Sequence, residues 1–240
     1  MNSQLPHDKV IVVAVDGPAA SGKSTVSRAV ARALGFNYVD SGAMYRAVTW
    51  KALELAIDVS DTMAVIGMMG AVKLNCKIVD GQARMLIDGV DPGDAIRDPR
   101  VTEKVSAVAA IPEVRQILVQ LQRSLTKLGN LVMEGRDIGS VVFSDTPYKF
   151  YLDANPEVRA VRRKRDLEAM KIQATEEMVA KSIRQRDMKD SGRSASPLQI
   201  ALGATVIDNS GLTADETARI VVEHIRETDR RRNQTGARTS

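Results

Sequence analysis

The feature that most constrains the fold of this chain is the segment Gly17-Pro-Ala-Ala-Ser-Gly22-Lys23-Ser24, which matches the pattern G-x-x-x-x-G-K-[ST]. It follows the β-branched run VIVVAV at 10–15 and opens an Ala-rich helical pattern that ends near Gly35. The glycines let several backbone N–H groups surround one phosphate, and the following helix directs its positive end at that phosphate. We therefore predict a nucleotide-binding phosphate loop, with Lys23 reaching the β and γ oxygens and the Ser24 hydroxyl ligating Mg²⁺.

The rest of the chain alternates between short apolar runs and helical patterns, which is typical of a parallel sheet covered by helices. Further strands are predicted at 36–39, 131–133, 148–152 and 205–208. The fold class expected is α/β, a P-loop NTPase-type three-layer α/β/α architecture with a parallel central sheet, a small β-containing insert and a helical lid. The insert contains two alternating runs joined at Asp80-Gly81, a β-hairpin signal.

These patterns divide the chain into regions. A flexible N-terminus is expected at 1–8 and a disordered basic tail at 229–240, since neither shows apolar periodicity. The α/β core is assigned to 9–57 and 99–228, with a basic helix at about 155–172, and the insert is assigned to 58–98.

The amino-acid composition disfavours some classes of binding partner. Aromatic residues make up 3% of the chain, too few for a platform on which single-stranded nucleic acid stacks, while the net charge of +4 suits small polyanions. Cys76 is the single cysteine and no apolar run approaches the length of a membrane span. We expect a cytoplasmic protein with no nucleic-acid or membrane partner, monomeric for want of an apolar stripe.

Several arginines follow the predicted strands and indicate a kinase whose acceptor is itself phosphorylated. No N-K-x-D tetrad or apolar run ending in D-E is present, which disfavours GTPases and the larger motor and transporter ATPases. Arg46 follows the second predicted strand, and Arg136-Asp137 follows the strand at 131–133. Arg186, Asp190 and Arg193 share one helix face. Bidentate arginine is suited to holding two mutually repelling phosphates in a fixed geometry.

Six segments, in order, resemble the motifs of bacterial cytidylate kinases: GPAASGKST, DSGAMYR, AIR at 95–97, SAVAAIPEVR, EGRDIGSVVF and RDMKDSGR. The resemblance covers about residues 9 to 226. It implies transfer of the γ-phosphoryl group of ATP to CMP and dCMP by direct in-line attack, with ATP and Mg²⁺ required. The donor would contact the loop residues Gly17, Pro18, Ala19, Ala20, Ser21, Gly22, Lys23, Ser24 and Thr25, with Ser24 as the metal ligand.

The same resemblance implies roles for the acceptor site and the lid. The cytosine edge would meet Ser106, Arg115 and Asp137, and the acceptor phosphate would meet Ser41, Tyr45, Arg46, Arg136 and Arg193. Arg186 and Asp190 would contact the sugar hydroxyls. Arg159, Arg162 and Arg163 resemble the lid, and the catalytic residues implied are Lys23, Arg136, Arg159 and Arg163. Glu134 would be linked to Mg²⁺ through water. The resemblance also makes 9–57 and 99–228 the kinase core, the basic helix at about 155–172 its lid, and 58–98 the nucleoside monophosphate-binding insert.

Other functions than that of a CMP kinase are compatible with these sequence features. A kinase for UMP, dTMP or shikimate would use the same phosphate loop, and acceptor competition separates these from a CMP kinase. The basic helices also allow a nucleotide-responsive RNA-binding protein, although they lack interleaved aromatic residues.

Overall fold

The computed structural model describes residues 10–193 and 195–236. Within these residues seven strands form one sheet in the order β3-β4-β2-β5-β1-β6-β7. The strands are β1 (Val12–Asp16), β2 (Asn37–Asp40), β3 (Leu74–Val79), β4 (Gln82–Ile87), β5 (Leu131–Gly135), β6 (Tyr148–Asp153) and β7 (Thr205–Asp208). All neighbours pair in parallel except β3 and β4, so the α/β class and the mainly parallel sheet are confirmed.

The helices lie between these strands along the chain. They are α1 (Lys23–Leu34), α2 (Ser41–Glu54), α3 (Thr62–Ala71), α4 (Pro99–Val108), α5 (Pro112–Ser124), α6 (Pro156–Ala169), α7 (Glu176–Ser191) and α8 (Ala214–Gly236). Shorter helical turns occur at Gly93–Arg97, Leu125–Leu128 and Ile138–Val142. Pro112 stands at the first turn of α5, and the Asp40 carboxylate caps α2 by accepting from Ala43 N at 2.9 Å.

Alternate strand residues point to opposite faces of the sheet, and both faces are buried by packing against other elements. On one face, residues such as Val13 and Val15 pack with α1 and α8. On the other face, Ala14 and Met133 pack with the segment from α5 to the turn at Ile138. Burial on both faces is the reason that β1 is a continuous apolar run.

The insert is part of the main sheet. Strands β3 and β4 form the predicted antiparallel hairpin, with positive φ at Asp80 (50°) and Gly81 (70°). Strand β4 then pairs in parallel with β2 through Tyr38 and Gln82. The hairpin of the predicted insert therefore extends the edge of the main sheet.

The C-terminal segment also differs from the expectation of disorder at 229–240. Helix α8 continues to Gly236, because Asp229 is buried and its carboxylate accepts a hydrogen bond from the Tyr148 hydroxyl. Residues 237–240 and the N-terminal segment 1–8 lie outside the described residues. Of the helices described, none combines the length and the apolar character needed to cross a membrane.

Candidate active site

Three strand ends bring the predicted motifs together. In register, Asp16 of β1 lies beside Gly135 of β5, and Asp40 of β2 lies beside Glu134. The carboxyl ends of parallel strands meet at one edge of a sheet, where α/β proteins bind ligands. The phosphate loop, the start of α2 and the Arg136-Asp137 turn therefore surround one cleft of about 1170 Å³.

The phosphate loop has the backbone geometry that the sequence predicts. Gly17 and Gly22 adopt φ values of 150° and 88°, and a Cβ on Gly17 would lie 2.1 Å from the Leu152 carbonyl oxygen. No other residue type fits at Gly17 without moving β6. The loop residues from Ala19 to Thr25 line the cleft, whereas Gly17 and Pro18 support it from behind.

Lys23 is buried within this loop. Its Nζ donates to the Pro18 carbonyl oxygen at 2.6 Å and to Ser21 Oγ at 3.3 Å. Burial, and secondly the positive charge of Arg136, lower the pKa of Lys23 to about 7. A bound polyphosphate would restore the counter-charge that this ammonium group lacks.

Opposite the loop, the wall of the cleft is rich in arginine. Buried Nε atoms of Arg115, Arg186 and Arg193 have no hydrogen-bond partner among the described residues. Burial, followed by the charge of Arg136, lowers the pKa of Arg186 to about 10. Unpartnered buried donors beside like charges are costly, so this wall is suited to an anionic ligand that accepts several hydrogen bonds.

Arg136 and Arg193 are held by one carboxylate. Asp190 accepts from Arg136 Nε at 2.8 Å and from Arg193 Nη2. Burial opposes ionisation of Asp190, but Arg136 and Arg193 hold its pKa below the usual range. The resemblance assigns Asp190 to the sugar hydroxyls, whereas in this structure its oxygens accept hydrogen bonds from Arg136 and Arg193.

Asp137 and Arg115 form a second ion pair, with side chains only 7% and 5% exposed. Arg115 also donates to the Ala109 carbonyl at 3.1 Å and lies over the Tyr45 ring, 5.4 Å from its centroid. Ser106 of α4 lines the same end of the cleft. The three residues expected to read the base are thus brought together.

The remaining acceptor residues lie at the start of α2. Ser41 Oγ donates to the Glu134 carbonyl oxygen at 2.7 Å, and Arg46 Nη2 donates to Asp40 Oδ2 at 2.7 Å. Both residues line the cleft, as does Tyr45. Every residue that the sequence assigns to the acceptor therefore faces a common space.

The lid arginines do not share one environment. Arg163 lines the cleft, and burial lowers its pKa, with Arg46 and Arg97 among the nearby cations. Arg159 instead is buried and donates to the carbonyl oxygens of Ala19 and Ala154, at 3.1 Å each. Arg159 is not among the cleft-lining residues, so its geometry does not place it at the reacting phosphate.

The donor set beside Lys23 fits a hard divalent cation. Glu134 lies near Ser24, and its Oε1 accepts from the Tyr38 hydroxyl at 2.5 Å. Burial, then the neighbouring Asp40 carboxylate, raise the pKa of Glu134. No group of three or more His, Cys, Asp or Glu in the described chain forms a metal cage. One hydroxyl and one carboxylate beside phosphates are what Mg²⁺ commonly uses.

Three polar residues that the sequence reading missed support the loops. Asp16 accepts from the backbone N–H groups of Ile138 and Gly139 at 2.8 and 2.7 Å. Asn209 donates to the Ser21 carbonyl at 2.9 Å and accepts from Arg162. Asp187 bonds both the phosphate loop and Arg159. Asp16 and Asn209 lie at strand ends next to the site, a position that could have identified them.

Comparison with known proteins agrees with this geometry. The family model described as "Cytidylate kinase" matches residues 13–227. The chain is 44% identical to cytidylate kinase of Caldanaerobacter subterraneus subsp. tengcongensis, covering 90% of this chain and 95% of that protein. It is 45% identical to cytidylate kinase of Corynebacterium efficiens, covering 95% and 99%. It is also 43% identical to cytidylate kinase of Mycobacterium avium, covering 93% and 97%. Among solved structures, shikimate kinase from Acinetobacter baumannii has a TM-score of 0.46 at 15% identity, covering 91% of this chain and 94% of that one, a likeness too distant to indicate the acceptor.

Proposed function

The chain belongs to the cytidylate kinase family, and we propose that it transfers the γ-phosphoryl group of ATP to CMP, giving ADP and CDP. The observation that carries this proposal is the arrangement of the cleft. The phosphate loop and a group of arginines line the same cleft, and this group comprises Arg46, Arg136, Arg163, Arg186 and Arg193.

On the donor side, residues Ala19 to Thr25 of the phosphate loop bind the ATP phosphates, and Gly17 and Pro18 set the course of that loop. Lys23 neutralises charge on the β and γ oxygens, and Asn209 and Arg162 hold the loop through the Ser21 carbonyl oxygen. Ser24 and Glu134 would hold Mg²⁺, Glu134 directly or through water. When bound, Mg²⁺ supplies charge neutralisation between the β- and γ-phosphates.

On the acceptor side, the CMP phosphate binds to Ser41, Tyr45, Arg46, Arg136 and Arg193. Arg186 and Asp190 contact the ribose, and for this role Asp190 exchanges part of its contact with the two arginines. Arg97 of the insert at 58–98 and residues of helix α4 such as Thr102 and Ser106 line the cleft on this side. We propose dCMP as a further substrate, since Arg186 and Asp190 would still contact the hydroxyl that remains.

The base is recognised by Ser106, Arg115 and Asp137. Cytosine carries an exocyclic amine that donates to a carboxylate, and a ring carbonyl and nitrogen that accept from a guanidinium group or a hydroxyl. Uracil presents a carbonyl where cytosine has the amine. Asp137 would then face an acceptor, so UMP is disfavoured.

The reaction needs no covalent intermediate. The CMP phosphate is already an anion, and positioning with charge neutralisation suffices for in-line transfer. Lys23 and Arg136 act from the core, and Arg163 acts from the lid at about 155–172. Closure of the lid over ATP excludes water and so limits hydrolysis. Arg159 supports this arrangement from behind the loop.

We also propose that the protein is cytoplasmic and monomeric. A single, half-buried Cys76 suits a reducing cytoplasm. All residues named above come from one chain, so a monomer contains a whole site.

Acceptor competition tests the proposal. ADP release is measured with MgATP and each of CMP, dCMP, UMP, AMP and no acceptor. Turnover with CMP and dCMP well above that with UMP is expected, since only the cytosine bases satisfy Asp137. Turnover led by UMP or AMP would overturn the base-recognition roles, and turnover independent of any acceptor would overturn the kinase assignment.

A further inference from the structure

Asp187 of α7 lies between the phosphate loop and the lid helix. Its Oδ1 accepts from the backbone N–H of Ala19 at 2.9 Å. Its Oδ2 accepts from Arg159 Nη1 of α6. Neither Asp187 nor Arg159 lines the cleft, so this pair acts on the loop from outside the nucleotide site.

Asp187 and Arg159 together hold both polar groups of Ala19. Asp187 accepts from its N–H, and Arg159 donates to its carbonyl oxygen at 3.1 Å. The next residue, Ala20, has φ of 58°, a left-handed conformation that a residue with a Cβ rarely adopts. Such a conformation persists where the surroundings determine it.

We propose that Asp187 is a positioning residue for the donor nucleotide. It fixes Ala19 and Arg159 so that the other N–H groups of the phosphate loop keep the conformation that receives phosphate. This inference rests on the proposed function only for the identity of the donor as ATP.

The role needs a carboxylate rather than an amide. Both neighbours of Asp187 are donors, an N–H and a guanidinium group, and a carboxylate accepts from both. Asparagine has one acceptor and one donor, so either orientation of its amide leaves a donor facing a donor. Asp187→Asn therefore removes one contact while preserving side-chain size.

The position of Asp187 on α7 predicts which substrate is affected. Arg186 and Asp190 of the same helix, and Arg193 just beyond its end, line the cleft, whereas Asp187 does not line it and hydrogen-bonds the phosphate loop and α6. Loss of its carboxylate should weaken ATP binding and leave CMP binding nearly unchanged.

The experiment compares wild type, Asp187→Asn, Asp187→Glu and Glu177→Gln. Glu177 is an exposed carboxylate on α7, so its amide variant controls for charge loss on that helix. Steady-state kinetics give kcat and the KM for each substrate. Calorimetric titration gives the Kd for MgATP and for CMP separately, and thermal melting establishes that each variant is folded.

For Asp187→Asn we expect the KM and Kd for ATP to rise about tenfold, equivalent to about 1.4 kcal/mol, with CMP affinity within about twofold of wild type. Glu177→Gln should behave as wild type, and Asp187→Glu should recover part of the ATP affinity. If Asp187→Asn does not fold, Asp187→Glu carries the comparison through a smaller rise in the same constant.

Unchanged ATP affinity in a folded Asp187 variant would overturn the inference, as would an equal loss for both nucleotides or a loss confined to kcat. Failure of the proposed function is distinguishable, since the wild type would then not turn over CMP. The ATP titration would still test Asp187 in that case.

Discussion

Removal of either partner of the buried Arg115–Asp137 pair is expected to destabilise the fold as well as impair base recognition. The two side chains are 5% and 7% exposed, so neither charge is solvated once its partner is gone. Breaking such a pair from one side costs about 3–5 kcal/mol. The lower figure suits Asp137→Ala, because Arg115 keeps its bond to the Ala109 carbonyl and its contact with Tyr45.

The assay is a double-mutant cycle of Asp137→Ala and Arg115→Met, followed by thermal and urea unfolding. A loss of about 3 kcal/mol corresponds to a fall of about 6–12 °C in Tm for a chain of this size. Arg100→Met is the matched control. Its ion pair with Asp98 is on the surface, with the Arg100 side chain 78% exposed, so its Tm should change little.

The double variant distinguishes the cost of an unpaired buried charge from the loss of side-chain packing. If the cost arises from an unpaired buried charge, removing both charges should restore part of the stability, and the double variant should lose about 2 kcal/mol less than the sum of the single losses. Additive losses would refute this account, because they would mean that each side chain contributes by packing alone.

Three further predictions concern the phosphate loop and its neighbours. Since the pKa of Lys23 is about 7 without ligand, the protein should take up a proton when it binds ATP at pH 8, and its ATP affinity should fall as the pH rises further. Calorimetry in buffers of different ionisation enthalpy measures the proton uptake, and the Lys23→Met variant should not show it. Burial raises the pKa of Asp16 from 3.8 to about 6, so the folded state binds this proton more tightly than the unfolded state does. The stabilisation of the fold by the protonated carboxyl is complete below pH 3.8 and is lost as the pH rises through 6. Relative to Asp16→Asn, the wild type should therefore lose up to about 3 kcal/mol of unfolding free energy between pH 4 and 7 in urea titrations, and a pH-independent difference would contradict this. Gly135→Ala would place a Cβ 2.5 Å from Ser41 Oγ, so CMP affinity should fall by about 1–3 kcal/mol in titrations that leave ATP affinity nearly unchanged.

Local signals in the sequence were sufficient to predict most elements of the fold. The phosphate loop, the cap at Asp40, the proline at position 112 and the turn at Asp80-Gly81 each depend on a few adjacent residues. The pairing of β4 with β2 could not be predicted in this way, because it joins Tyr38 to Gln82 across two helices. The length of α8 was missed because its anchor, Asp229, meets Tyr148 of a distant strand.

In the candidate site, too, some features could be predicted from the sequence and others depend on contacts between distant residues. Parallel strand order explains why Glu134, Arg136 and Asp137 meet the phosphate loop, and this could be predicted. Helical spacing, by contrast, shows which residues share a face but not which partner the face meets. Arg159 and Arg163 lie four residues apart on α6, yet one bonds the back of the loop and the other lines the cleft.

The most direct test of the central claim follows the phosphoryl group itself. Wild-type protein and Lys23→Ala are incubated with Mg²⁺, CMP and ATP labelled at the γ-phosphate, and the labelled products are separated. We expect the wild type to place the label in CDP with one ADP formed for each CDP, and Lys23→Ala to lose most of this transfer. Label released as inorganic phosphate, or full transfer by Lys23→Ala, would contradict the account.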